Sequence, residues 1–123
     1  MLTFPNAKIN LGLNILGKRE DGYHDIESCL YPIPLYDALE IIPASKFEFH
    51  CTGIKVNGNI SDNLSVKAYK LLKDEFDIPQ VKIHLHKIIP MGGGLGGGSS
   101  DGAFTLKTLN DLFELKIPID RLK

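Results

Sequence analysis

The chain has 123 residues, 43% of them hydrophobic and 24% charged, with 14 basic against 15 acidic side chains and a formal net charge of −1. That mix suits one compact domain able to bury its own core, and the near-neutral balance removes the electrostatic case for nucleic acid or an anionic membrane as the main partner. Cys29 and Cys51 form no C-x-x-C and are expected as two half-buried thiols in a reducing compartment; with no secretory leader and no apolar run of about 18 residues, the expected location is cytoplasmic.

In chain order, "AKINLGLNIL" alternates Ile9, Leu11, Leu13 and Ile15 against Lys8, Asn10, Gly12 and Asn14, the period of a strand with one apolar face. "GKREDG" over 17–22 is a charged turn, after which "YHDIESCLYPI" resumes an extended pattern that Pro32 and Pro34 are expected to break. Two more strands follow, "DALEII" at 37–42 and "KFEFHCTG" at 46–53, then an Asn-Gly turn signal in "VNGN". There the period changes. Asp62 or Ser61 is placed to cap a helix carrying Leu64, Ala68, Leu71, Leu72 and Phe76 at three- and four-residue spacing, with Pro79 beyond its end. "VKIHLHKII" at 81–89 returns to alternation, with Val81, Ile83 and Leu85 inward and His84 and His86 on an exposed face. The spacing of these two histidines can chelate a metal, but no third ligand accompanies them. After Pro90 and the glycines, Ala103, Leu106, Leu109 and Phe113 trace a second helix, and "IPIDRLK" reads as the opening of a third. This order predicts an α+β domain, a mixed and mostly antiparallel sheet covered by helices.

The segment "PMGGGLGGGSSDG", residues 90–102, packs six glycines into the seven positions from Gly92 to Gly98 and follows them with Ser99, Ser100 and Asp101. Each glycine costs roughly 0.5–1 kcal/mol relative to alanine where regular structure is wanted. A strand, a glycine-rich loop and a helix starting near Ser99 form a recipe for binding phosphate: bare backbone lets N–H groups converge, and the helix start adds unpaired donors and the positive end of its dipole. A linker between two structured halves is the plainer alternative, but linkers are seldom bracketed so closely by strand and helix. The loop lacks G-x-x-x-x-G-K-[ST]. Gly92, Gly94 and Gly97 satisfy G-x-G-x-x-G formally, yet far from a first strand, and the glycine loops of protein kinases join two strands. Asp101 could hold a metal or act as a base, although an acid in a first helical turn also simply favours the dipole.

These residues carry a resemblance. "PMGGGLGGGSSDGA" resembles the ATP-phosphate loop of the GHMP kinases, and "PNAKINLGLNILGKREDGYHDIES" resembles the opening of the branch of that superfamily acting on a cytidyl-diphosphate sugar alcohol in the non-mevalonate isoprenoid pathway. The likeness runs through the whole chain, including "DNLSVKAYKLL", with Gly102 standing where alanine is common. It implies the GHMP-kinase N-terminal domain fold, similar to domain 2 of ribosomal protein S5, as a single ATP-binding domain over 1–123 whose C-terminal partner domain lies outside this chain. The implied reaction moves the γ-phosphoryl group of ATP, with Mg²⁺, onto the 2-hydroxyl of the cytidyl-diphosphate-erythritol substrate. Another GHMP small-molecule kinase and a non-catalytic nucleotide-binding domain are the alternatives. The resemblance speaks for a small-molecule partner, not nucleic acid or membrane, and leaves the oligomeric state and any metal-binding residues unassigned.

By the same resemblance Pro90, Met91, Gly92, Gly93, Gly94, Leu95, Gly96, Gly97, Gly98, Ser99 and Ser100 hold the ATP phosphates. Lys8, which composition alone would leave as a solvated lysine, falls on the active-site lysine near the acceptor hydroxyl. Asn10, Tyr23 and His24 fall on the substrate side, the latter two against the cytosine. Asn63 lies near the adenine, though helix capping explains it equally well. Lys87 stays open between a solvated strand end and a nucleotide contact. The family's catalytic aspartate belongs to a Gly-Ala-Asp-Val-Pro segment not found in this sequence, so Asp101 is not promoted in its place, and this chain alone is expected to be inactive.

Overall fold

A computed structural model describes residues 1–18, 24–55, 58–90 and 95–118. In chain order the elements are β1 (Leu2–Thr3), β2 (Asn6–Lys18), β3 (His24–Tyr36), β4 (Ala38–Pro43), β5 (Glu48–Gly53), a 3₁₀ turn (Ile60–Asp62), α1 (Leu64–Phe76), β6 (Val81–Lys87) and α2 (Gly97–Leu112). Four strands form a mixed sheet in the order β1-β4-β6-β5, antiparallel except for the β5–β6 pair. That parallel pair needs a crossover, and α1 supplies it. The expected α+β layout is what forms.

The remaining strands, β2 and β3, make a separate antiparallel ribbon, with register shifts at Asn6/Ala7, Asn10/Leu13 and Ile15/Gly17. Here the structure departs from the sequence expectation, because β3 runs unbroken through Pro32 and Pro34 and pairs Lys8 with Pro32. Each strand of a two-stranded ribbon has a free edge, so a proline that lacks an N–H can sit there without removing a ladder bond.

Both helices lie on one face of the sheet. Leu39 and Ile41 of β4, Val81, Ile83 and Leu85 of β6, Tyr69 and Leu72 of α1 and Leu109 of α2 make one buried cluster. The Tyr69 ring stacks on Phe47 with centroids 4.5 Å apart. The opposite face carries Glu40, His50, His84 and His86, all exposed. The Thr52 hydroxyl there lies 2.9 Å from both His84 Nε2 and His86 Nδ1.

Several local expectations are corrected. Asn63, not Asp62 or Ser61, caps α1, because the chain first makes the 3₁₀ turn that contains Asp62. Leu64 and Leu71 are exposed, while Ser65, Val66, Ala68, Tyr69 and Leu72 form the buried stripe of α1. The inward stripe of α2 is Asp101, Gly102, Thr105, Thr108 and Leu109, a polar face that a search for apolar spacing passes over. Cys51 is a free, exposed thiol rather than a half-buried one. Residues 119–123, most of the expected third helix, lie outside the described residues.

Candidate functional site

The second helix begins at Gly97, two residues before the expected start. Its cap residue, Gly96, adopts φ 68° and ψ 21°, the left-handed region that glycine enters without strain, and no side chain caps the helix. Ser100 N–H closes the first turn on Gly96 O at 2.9 Å. The amides of Gly97, Gly98 and Ser99 come before any intrahelical acceptor, so they form an open cluster of donors at the positive end of the helix dipole. Ser99 and Ser100 therefore sit within the first turn, not at the cap as their sequence position suggested.

Two neighbours explain why bare backbone is needed at this point. Lys8, half-buried on β2, donates its backbone N–H to Leu95 O at 2.9 Å and lays its side chain over Gly96. A Cβ on Gly96 would stand 2.7 Å from Lys8 Cε. On Gly97 a Cβ would stand 2.7 Å from Ile89 Cγ2 and 3.3 Å from Lys87 Nζ. Any side chain at either position would push one of the two lysines or the strand end away from the helix start.

Beneath this helix start lies a buried group of three charges. Lys87 ends β6 only 2% exposed, and its Nζ donates to Asp37 Oδ2 at 2.5 Å and to Asp101 Oδ2 at 2.7 Å. Asp37 Oδ1 accepts the backbone N–H groups of Ile88 at 2.7 Å and Ile89 at 2.9 Å. Asp101 Oδ1 is buried without a hydrogen-bond partner among the described residues. Burial alone would raise the Asp37 carboxyl, but bonds from Asp101, the Ile89 amide, Lys87 and the Ile88 amide outweigh it and hold it below the usual carboxylate range. Burial likewise works against the Lys87 ammonium, and the two carboxylates reverse that and hold its pKa above the ordinary lysine value. With one cation for two carboxylates, the excess falls on Asp101: burial, then its neighbour Asp37, push it up to about 7 against the pull of Lys87.

Above the trio opens a cavity of about 190 Å³. Phe49 and Cys51 of β5, Asn63 and Leu64 at the start of α1, and Gly98 of α2 line it, with Lys87 and Asp101 on its buried side. It is a largely apolar slot that opens beside the donor cluster of α2. A flat aromatic ring next to a chain of phosphates would match that combination.

The structure thus brings Lys8, Asn63, Lys87, Leu95, Gly96, Gly97, Gly98, Ser99 and Ser100 to one region around the start of α2. Pro90 leads from β6 into the loop, while Met91, Gly92, Gly93 and Gly94 lie outside the described residues, as does Tyr23. For Asn10 and His24 the description extends to the backbone, in β2 opposite Leu30 and in β3 opposite Lys18. Lys87 is buried and so is not a solvated strand end. Asp37 and the inward role of Asp101 were missed, although both were legible: Asp37 shares the two-residue phase of Leu39 and Ile41, Lys87 that of Val81, Ile83 and Leu85, and Asp101 lies four residues before Thr105. Among the described residues no three histidine, cysteine or carboxylate side chains gather as a metal site.

The model of the GHMP kinases N terminal domain matches residues 63–123. The chain is similar to the GHMP kinases and has the fold of their N-terminal domain. Among its relatives, the 4-diphosphocytidyl-2-C-methyl-D-erythritol kinase of Cytophaga hutchinsonii is 59% identical over 117 residues, covering 95% of this chain and 43% of the relative. The enzyme of the same name from Bacteroides fragilis is 55% identical over 127 aligned residues, covering all of this chain and 46% of the relative. A crystal structure of 4-(cytidine 5'-diphospho)-2C-methyl-D-erythritol kinase superposes with a TM-score of 0.83 at 35% identity, over 99% of this chain and 44% of that one. The Methanococcus jannaschii mevalonate kinase, at 19% identity and a TM-score of 0.71, shares the fold. This chain therefore spans less than half the length of the curated relatives it matches.

Proposed function

We propose that the protein to which this chain belongs transfers the γ-phosphoryl group of ATP to the 2-hydroxyl of 4-diphosphocytidyl-2-C-methyl-D-erythritol, in the cytoplasm, and that residues 1–123 supply its ATP-binding domain. The observation that carries the reading is the uncapped start of α2, where glycines keep open a cluster of N–H donors between Lys8 and the cavity. Phosphoryl transfer asks the protein mainly for positioning and for positive charge where negative charge develops. Backbone donors at the helix start bind the phosphates, and the cavity between Phe49 and Leu64 receives the adenine with Asn63 at its rim. Lys8 reaches over Gly96 toward the transferred group, where its ammonium stabilises the attacking oxygen. The cytidyl end of the acceptor belongs to Asn10, Tyr23 and His24. Mg²⁺ commonly binds through one or two carboxylates plus substrate phosphates; here it accompanies the nucleotide, with the Ser99 and Ser100 hydroxyls as oxygen donors at hand.

Identity favours this acceptor over those of other GHMP kinases, since relatives of that name stand at 47–59% and a solved structure of that enzyme at 35%, while mevalonate kinases share 17–19%. The carboxylate that orients the acceptor hydroxyl comes, in this reading, from the part of the protein that this chain does not match. The decisive experiment is a coupled ADP-release assay on the full-length protein with the cytidyl-diphosphate substrate, mevalonate and homoserine, run beside the 123-residue chain. Turnover is expected with the cytidyl substrate only, and only for the full-length protein. Preference for another alcohol would overturn the substrate, and comparable turnover by the short chain would overturn the division of labour.

A further inference from the structure

We propose that Asp37, Lys87 and Asp101 are positioning residues that latch the end of β6 to the start of α2, so that the donors at that helix start are in place before nucleotide arrives. The inference rests on the functional reading above and deepens it. Glycine backbone loses much conformational freedom when it is ordered. The open donors at the start of α2 can converge on one anion only if that helix start is held.

The bonds do that. Asp37 Oδ1 takes the amides of Ile88 and Ile89, the two residues that lead into Pro90 and the loop. Asp37 Oδ2 takes the Lys87 ammonium, and the same ammonium reaches Asp101 in α2, the element into which the loop exits. One nitrogen thereby joins the entry strand to the exit helix. It lies directly behind the first helical residue, 3.3 Å from where a Gly97 Cβ would be.

Stability alone does not account for the arrangement. Three well-packed apolar side chains would serve a core as well as a buried ion trio or better, and the trio leaves Asp101 Oδ1 without a partner among the described residues. What the trio provides and an apolar patch does not is a directional tie between two named points of the backbone.

The test uses the full-length protein and a neutral, volume-matched replacement, Lys87→Met with Asp37→Asn and Asp101→Leu, beside the single Asp101→Asn variant. Expected for the triple variant are a Tm within a few degrees of the parent, a KM for ATP raised at least tenfold, and a KM for the cytidyl substrate within twofold. Amides 95–100 in the nucleotide-free protein should exchange with deuterium at least tenfold faster. Asp101→Asn should move both readouts in the same direction, about threefold, and it decides the matter if the triple variant does not fold. A folded variant with parental ATP constant and parental exchange overturns the latch, as does a rise of both KM values in step with a falling Tm. Absence of ATP-dependent phosphorylation in the parent would sink the functional reading instead, and the exchange data would then decide the latch by themselves.

Discussion

The two helices of this domain begin in opposite ways. At the start of α1, Asn63 stands in extended backbone at φ −66° and ψ 133°, and its Oδ1 accepts the Ser65 N–H at 2.9 Å. At the start of α2 a left-handed glycine takes that place and no side chain turns back. Both helices pack on the same sheet face, so burial does not explain the difference. A capped start uses its donors on its own chain, whereas an open one keeps them for something that arrives from solution. The starts are also neighbours: a Cβ on Gly102 would meet Leu64 Cβ at 3.1 Å, and the cavity is bounded by Asn63 and Leu64 on one side and Gly98 on the other.

If the open start serves phosphoryl transfer, the largest effect belongs to the cation that lies across it. Lys8→Ala in the full-length protein should lower kcat by about 10²–10³-fold, the usual cost of removing one transition-state donor, with a smaller change in KM for ATP. A parental kcat would remove Lys8 from the chemistry. The next effect is steric. Gly97→Val drives a side chain into Ile89 and toward Lys87, and overpacking of about 1–3 kcal/mol should weaken nucleotide binding roughly 5- to 150-fold in titration calorimetry. Equal affinity would return the glycines to the role of a linker.

A third effect is set by pH. Asp101 keeps its proton up to about pH 7 in the folded chain, whereas its ordinary value is 3.8. Between those values the folded state binds more protons than the unfolded one, so this contribution to stability is lost as pH rises through about 7. Asp37, held below its ordinary value, acts in the opposite sense and loses its contribution only at the acid end; Lys87, held above its own, keeps its share until alkaline pH. Tm should be highest near pH 5 and several degrees lower at pH 8, and Asp101→Asn should flatten that slope. A Tm that climbs from pH 6 to pH 8 would contradict the assignment.

The smallest effect belongs to the capped start. Asn63→Ala should cost about 1 kcal/mol of stability, read from denaturant midpoints. Asn63→Asp should restore the cap but not the ATP constant, because the side-chain amide donor is gone. Full restoration of both would leave Asn63 as a cap and nothing more.

Much of this was legible in the residues because it is local. Alternation in "VKIHLHK" and the glycines before Ser99 announce a strand, a loop and a helix without reference to the rest of the chain. The path of β3 through Pro32 and Pro34 was not, since only the ribbon's free edges make those prolines harmless. Leu71 shows the limit of counting apolar residues, for it has the right spacing and faces solvent. The ion trio was hidden for another reason. Each member sits at an inward phase of its own element, but partners that lie 50 and 14 residues apart become a set only once the sheet order is known.

That separation also bears on how β6 finds its place. Slipping β6 by one residue along β4 and β5 would turn every side chain to the other face. His84 and His86 would enter the core, Lys87 would swing out to water, and Asp37 and Asp101 would be left as two buried carboxylates with no cation between them. A stranded buried charge costs about 3–5 kcal/mol, on top of the apolar burial that the slip would already forfeit. The three charges thus act as a key for strand register: the sheet can close with β6 in one alignment, and that alignment sets the start of α2 beside the cavity.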